Sequence, residues 1–116
     1  MITKDKIFLF WNIGKYVYKN RERYSNIVER SSNHYSYLFG NSYLFTRENI
    51  WFMEKFYKTF PVFYKKLEKL SWNQYKYLLQ IKNKKERYFY FYVTFLFNYN
   101  YVETKILVNN NYYQRI

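Results

Sequence analysis

The chain contains no cysteine, one proline and two glycines in 116 residues, and a reading along it finds no alanine. The missing cysteines exclude disulfides, thiolate zinc sites and a cysteine nucleophile. With glycine only at 14 and 40, no glycine-rich phosphate loop can form. His34 is the only histidine, so a His-paired nucleophile or a multi-histidine metal site lacks its raw material. Acid is scarce as well. Asp5 and the glutamates at 22, 29, 48, 54, 68, 86 and 103 stand singly, a poor supply for two-metal phosphodiester chemistry. These deficits predict no catalytic residue, no metal and no cofactor. The longest uncharged aromatic run, residues 88–101, falls short of the roughly 20 residues that span a bilayer and is filled with Tyr and Asn. No small-residue cleavage site follows Ile7–Ile13, so no signal peptide is read there. The expectation is no membrane contact and a cytoplasmic, nucleoid-associated location, or a mitochondrial matrix location if the gene is organellar.

What is abundant is positive charge and aromatic area. Twenty Lys+Arg face eight Asp+Glu, for a formal net charge of +12, and 28 % of residues are aromatic. With 49 % hydrophobic residues, a chain of this length can bury one core, which predicts a single domain over 1–116. The basic balance points to nucleic acid as partner. Lys, Asn, Ile, Phe and Tyr excess beside absent alanine is also what AT-rich codons impose. The placement of the cations therefore carries more information than their total.

Helical periodicity dominates. Residues 5–19 put Ile7, Phe10, Trp11, Gly14, Val17 and Tyr18 on one face, and 24–38 repeat the pattern with Tyr24, Ile27, Val28, Tyr35 and Leu38. Gly40 stands where a left-handed helix end is wanted, 40–45 reads as a loop, and Thr46 reads as an N-cap with Glu48 in the favourable first turn. A third helix then turns Ile50, Met53, Phe56, Tyr57 and Phe60 inward until Pro61. Ser71 and Gln74 form a capping box for a helix from 72 to about 81, with Leu70 placed to staple onto Tyr75. Asn83 recaps a segment over 84–98 that is apolar nearly all round and is predicted to be the central buried helix. Asn98–Asn100 makes the last turn, and 102–115 closes the chain as one helix through Val102, Ile106 and Tyr113. The predicted fold is all-α: a compact bundle of five to six helices with a helix-turn-helix-like or winged-helix-like core.

Ordered blocks of residues carry a resemblance. Phe10-Trp11-Asn12-Ile13-Gly14-Lys15 resembles the aromatic-W-x-I-G-basic signature that opens the YhcG-type N-terminal domain, and Tyr24–Val28 resembles that family's next helix. Phe39-Gly40, Thr46–Tyr57 and Phe60-Pro61 look like its S-x-R/E-N-L-x-x-M-R-x-F-Y-x-x-Y-P block. Leu70-Ser71-Trp72, Leu78–Asn83, Glu86-Arg87 and Phe89-Tyr90 are similar to L-S-W…L-L-x-I-K-D…E-R-x-F-Y, and Tyr113–Ile116 to the closing Y-E-R-L. The blocks cover residues 10–116. The resemblance implies a helical, helix-turn-helix-like, DNA-binding domain of a kind usually followed by a nuclease domain of the PD-(D/E)XK class. No paired carboxylate–lysine site for such a nuclease exists in these residues, and no catalytic role is carried over.

Two cation groups are the candidate nucleic-acid contacts. In the helix 47–60, second of a helix-turn-helix pair with 24–38, Arg47 and Asn49 are placed to read base edges and Lys55 and Lys58 to neutralise phosphates. Trp51 falls off the apolar stripe of that helix and is the candidate exposed, stacking aromatic. Around the second capped turn, Lys76, Lys82, Lys84, Lys85 and Arg87, with Asn73 nearby, form a phosphate seat beside a helix start. Lys65, Lys66 and Lys69 form a lesser third group. Trp11 and Trp72 are assigned to the core, Gly14 to close helix packing, and His34 to the surface. DNA is favoured over RNA as partner. The alternatives are a protein partner such as a nuclease or, as a phage-type inhibitor, another nucleic-acid-processing enzyme, and a structural subunit of an organellar ribonucleoprotein. An exposed aromatic patch would favour those protein-binding roles, and gathered lysines beside helix starts would favour nucleic acid.

Overall fold

In the computed structural model, residues 4–40 and 43–116 are described. Every regular element among them is helical, and none is a strand. A wing needs strands, so the winged variant of the expected core is not found among the described residues. The order is α1 (Lys4–Lys19), α2 (Ile27–Phe39), α3 (Arg47–Thr59), a 3₁₀ turn (Lys65–Lys69), α4 (Trp72–Leu79), α5 (Lys84–Phe97), α6 (Tyr101–Asn109) and α7 (Tyr112–Arg115). Residues 8–63 pack as one unit, and residues 4–7 with 64–116 as another.

The first unit is organised by a close approach of α1 to α3. A Cβ on Gly14 would lie 1.9 Å from the backbone oxygen of Met53, a distance no side chain tolerates. Glycine is thus the residue that lets the two backbones touch. Trp11, one turn earlier, donates its indole N–H to the Phe60 carbonyl at 2.7 Å, tying α1 to the end of α3. Ile13, Phe10, Val17, Ile50, Met53 and Phe56 fill the space between. The W-x-I-G string is therefore a packing device: a hydrogen-bonded anchor, a core residue and a gap for a backbone. Tyr18, expected inward, is instead 48 % exposed, and Leu38 of α2 is 58 % exposed. The inward place on α2 goes to Ile27 and Ser31.

Gly40 ends α2 with φ +64°, the left-handed conformation its position suggested. Positions 41 and 42 of the predicted loop lie outside the described residues. The remainder is held from both sides. Ser32 Oγ donates to the Phe45 carbonyl at 2.6 Å, and Asn49 Nδ2 donates to the carbonyls of Tyr43 and Leu44 at 3.3 and 3.2 Å. Thr46 caps α3 by accepting from the Asn49 amide, as its sequence position predicts.

The second unit is built around Gln74. Its side-chain oxygen accepts from the Ser71 amide, closing the capping box of α4. Its side-chain nitrogen donates to the Tyr99 carbonyl at 2.7 Å and to Thr104 Oγ1 at 3.2 Å. One buried amide thus fixes the start of α4 and the start of α6. Asn100 and Glu103 form a second capping box there, one the reading of the sequence did not identify. Tyr75, buried completely, donates its hydroxyl to the Leu67 carbonyl, and burial pushes its pKa upward.

Two expectations fail here. The segment 84–98 is not a wholly buried helix: α5 buries Tyr90, Phe91, Val93 and Thr94 and leaves Tyr92 64 % and Leu96 57 % exposed. An aromatic on every face gives no period from which to read an inside. The final helix is also not continuous, because Asn111 takes φ +54° and splits it into α6 and α7. Val102 and Ile106 face outward, since the inner face of α6 is set by the Thr104 hydrogen bond and not by an apolar stripe.

Candidate nucleic-acid interface

The outward face of α3 carries Arg47, Trp51, Lys55 and Lys58 at spacings of four, four and three residues, which places them in one stripe about 16 Å long. Arg47, Trp51 and Lys58 are exposed and Lys55 is half-buried, with its ammonium 5.0 Å from the Trp51 ring centroid. That contact presents the indole as a flat, cation-edged surface. Trp51 is 45 % exposed, in keeping with its place off the apolar stripe, whereas Trp11 and Trp72 are core residues as expected.

Asn49 is not on this stripe. It is 7 % exposed, faces the core side of α3, and holds the Tyr43 and Leu44 carbonyls of the preceding loop. As a reader of adenine it is replaced by a structural role: its two amide protons are engaged inside the fold. The helix rotates it some 160° away from Arg47, about 100° per residue.

Arg21 belongs to this face and was not anticipated. Glu54 sits at the edge of the cationic stripe, where an unpaired carboxylate would repel phosphate. Arg21 closes over it in a bidentate pair, Nε to Oε2 at 2.7 Å and Nη2 to Oε1 at 2.5 Å. The carboxylate is almost fully covered while 43 % of the arginine side chain stays exposed. The face is thereby neutralised at its one buried acid and keeps a guanidinium at its rim. Hydrogen bonding to Glu54 raises the Arg21 pKa further. No sequence spacing joins residues 33 apart, so only the α1–α3 contact could bring them together.

The second cation group behaves differently. Asn73, Lys76 and Gln80 share a stripe of α4 that leads into the turn bearing Lys82, Lys84 and Lys85, all three exposed. Asn83 caps α5 by accepting from the Glu86 amide at 2.9 Å. Arg87 departs from the expectation, since its Nη1 donates to the Ile81 carbonyl at 2.8 Å and its Nε is buried. It closes the turn from within and is not an open phosphate ligand. Lys65, Lys66 and Lys69, with Glu68, line a shallow recess of about 260 Å³.

Among the described residues no group of three His, Asp or Glu side chains is placed to hold a metal ion. No helix among them is long and apolar enough to cross a membrane.

One comparison with known proteins shows the family. A family model described as the DUF1016 N-terminal domain, the YhcG-like family, matches residues 1–115. No curated protein and no solved structure matches the chain.

Proposed function

Because the chain belongs to the DUF1016 N-terminal domain family, we propose that it is a non-catalytic nucleic-acid-binding domain whose preferred partner is duplex DNA. In this reading α2 and α3 act as a helix-turn-helix pair, with α3 laid in or across a groove. The single observation that carries it is the α3 stripe: Arg47, Lys55 and Lys58 beside exposed Trp51, with the neighbouring acid already paired to Arg21. The lysines at the α4–α5 turn, beside a capped helix start, supply further phosphate contacts. If about five phosphates are neutralised, the logarithm of affinity falls against the logarithm of salt with a slope near −4 to −5 on duplex DNA. Titration of the chain with duplex DNA, single strands and RNA at two salt concentrations tests this. A flat salt response sinks the reading, and tighter binding of RNA or single strands removes the preference for duplex.

A second reading is a protein-interaction module, with a nuclease as the fitting partner. The exposed row Tyr88, Tyr92 and Leu96 on α5 favours it, as an apolar face of this kind marks association more often than nucleic-acid contact. A pull-down from native extract that recovers protein and no nucleic acid decides for it.

A further inference from the structure

The first unit holds a cavity that neither cation group explains. It measures about 270 Å³ and is lined by Tyr16 of α1 and by Ile27, Arg30, Ser31, His34 and Tyr35 of α2. Five of these six residues carry a hydrogen-bonding side chain, and no carboxylate is among them. Ser31 is the informative one. Only 3 % of it is exposed, and its hydroxyl has no hydrogen-bond partner among the described residues. Its neighbour Ser32 shows the usual outcome, donating to the Phe45 carbonyl at 2.6 Å. A buried hydroxyl left without a partner costs about 1–3 kcal/mol, and because less than 1 Å² of this oxygen is exposed, a ligand recovers that cost as the cavity wall opens toward it.

The rest of the lining suits one chemical class. Arg30 supplies a permanent cation, its guanidinium fixed 4.1 Å above the Tyr24 ring and so partly ordered in advance. Burial first, and then the nearby Tyr16 phenol, raise the Tyr35 pKa and keep its hydroxyl a donor. His34, its ring edge-on to Tyr35 at 4.9 Å, is the single histidine of the chain. Donors without acceptor carboxylates select an anion, and the aromatic lining of Tyr16, Tyr35 and His34 beside Ile27 suits a ring. The volume is just under the roughly 300 Å³ at which pockets begin to hold drug-sized ligands, enough for one small residue of this kind.

We infer that this cavity is a binding site for a nucleoside monophosphate, its phosphate on Arg30 and Ser31 and its base against the tyrosines. The group can come from a free mononucleotide or from the 5′-phosphorylated end of a strand, and the site is independent of whether the α3 stripe binds DNA. Titration of isotope-labelled protein with deoxyadenosine monophosphate, deoxyadenosine and inorganic phosphate, read at the amides of residues 27–35, tests it. Shifts that saturate with the monophosphate, at least tenfold tighter than with deoxyadenosine, are expected. Arg30→Gln should weaken binding by about tenfold or more, the loss of one charge-assisted contact. Ser31→Ala should weaken it several-fold without lowering the melting temperature, because the hydroxyl has no hydrogen-bond partner among the described residues. Equal binding of nucleoside and monophosphate, or no saturable shift at millimolar concentration, overturns the proposal. So does an Arg30→Gln variant that binds as the parent does. A 5′-phosphorylated strand competing better than its 5′-hydroxyl counterpart would assign the source to a strand end, and equal competition would assign it to the free nucleotide. A Lys55→Ala, Lys58→Ala variant that loses duplex binding but keeps the monophosphate would separate the two sites, and loss of both would overturn their independence.

Discussion

Two exposed helix faces in this molecule are built on the same ladder and end in opposite chemistry. On α3 the outward row is Arg47, Trp51, Lys55 and Lys58; on α5 it is Lys84, Tyr88, Tyr92 and Leu96. Both put a lysine over an aromatic ring four residues away, Lys55 on Trp51 at 5.0 Å and Lys84 on Tyr88 at 6.0 Å. The rows part company beyond that pair. The α3 row continues in cations and has its adjacent acid covered by Arg21, so it presents a field. The α5 row continues in apolar side chains and presents contact area. An aromatic beside a lysine is therefore not by itself a nucleic-acid signature; the residues around it decide whether the surface attracts phosphate or an apolar partner.

The backing of the two faces differs in the same way, and it is where the comparison breaks most easily. Behind α3 lies a steric requirement. Gly14→Ala should cost about 3 kcal/mol or more, because a methyl group has no room against the Met53 carbonyl and two helices must part. Thermal unfolding followed by circular dichroism measures it, and a melting temperature near the parent's would contradict the close approach. In the second unit the requirement is polar. Gln74→Ala removes a capping partner and the donor to Tyr99 and Thr104, and should cost about 2–3 kcal/mol in the same assay.

Smaller effects sharpen the contrast at the surface. Lys55→Ala with Lys58→Ala should make the salt slope for duplex DNA less negative by about 2, with stability changed by roughly 0.5 kcal/mol at most. Tyr92→Ser with Leu96→Ser should leave that slope unchanged and lower any self-association seen by light scattering. If the α5 pair reduced DNA affinity as much as the lysine pair, the two faces would be one interface and the distinction would fall.

Much of this was legible beforehand. Local rules of short range located every cap that mattered to the candidate faces: Gly40, Thr46, Ser71 with Gln74, and Asn83 act as their positions suggest, because each requires only backbone groups within a few residues. The role of Gly14 and the outward turn of Trp51 were legible for the same reason, one from the absence of a side chain and one from a helical period. Asn49 and Arg87 were misread as open contacts because their type and charge are local facts while their partners are not. The carbonyls they bind belong to a loop and a turn whose path is set by folding.

The sequence alone determined that the protein is helical, strongly basic, without the carboxylates or histidines of an ordinary hydrolytic site, and of the YhcG type. Those are properties of composition, period and ordered motif, and none needs a third dimension. The tertiary structure decided which side of each helix meets water, that Arg21 covers Glu54, that Gln74 joins two helix starts, and that the Ser31 hydroxyl, beside Arg30 and His34, has no partner among the described residues. Each of these depends on residues distant in sequence or on a burial that an aromatic-rich chain leaves ambiguous, and only packing resolves such choices.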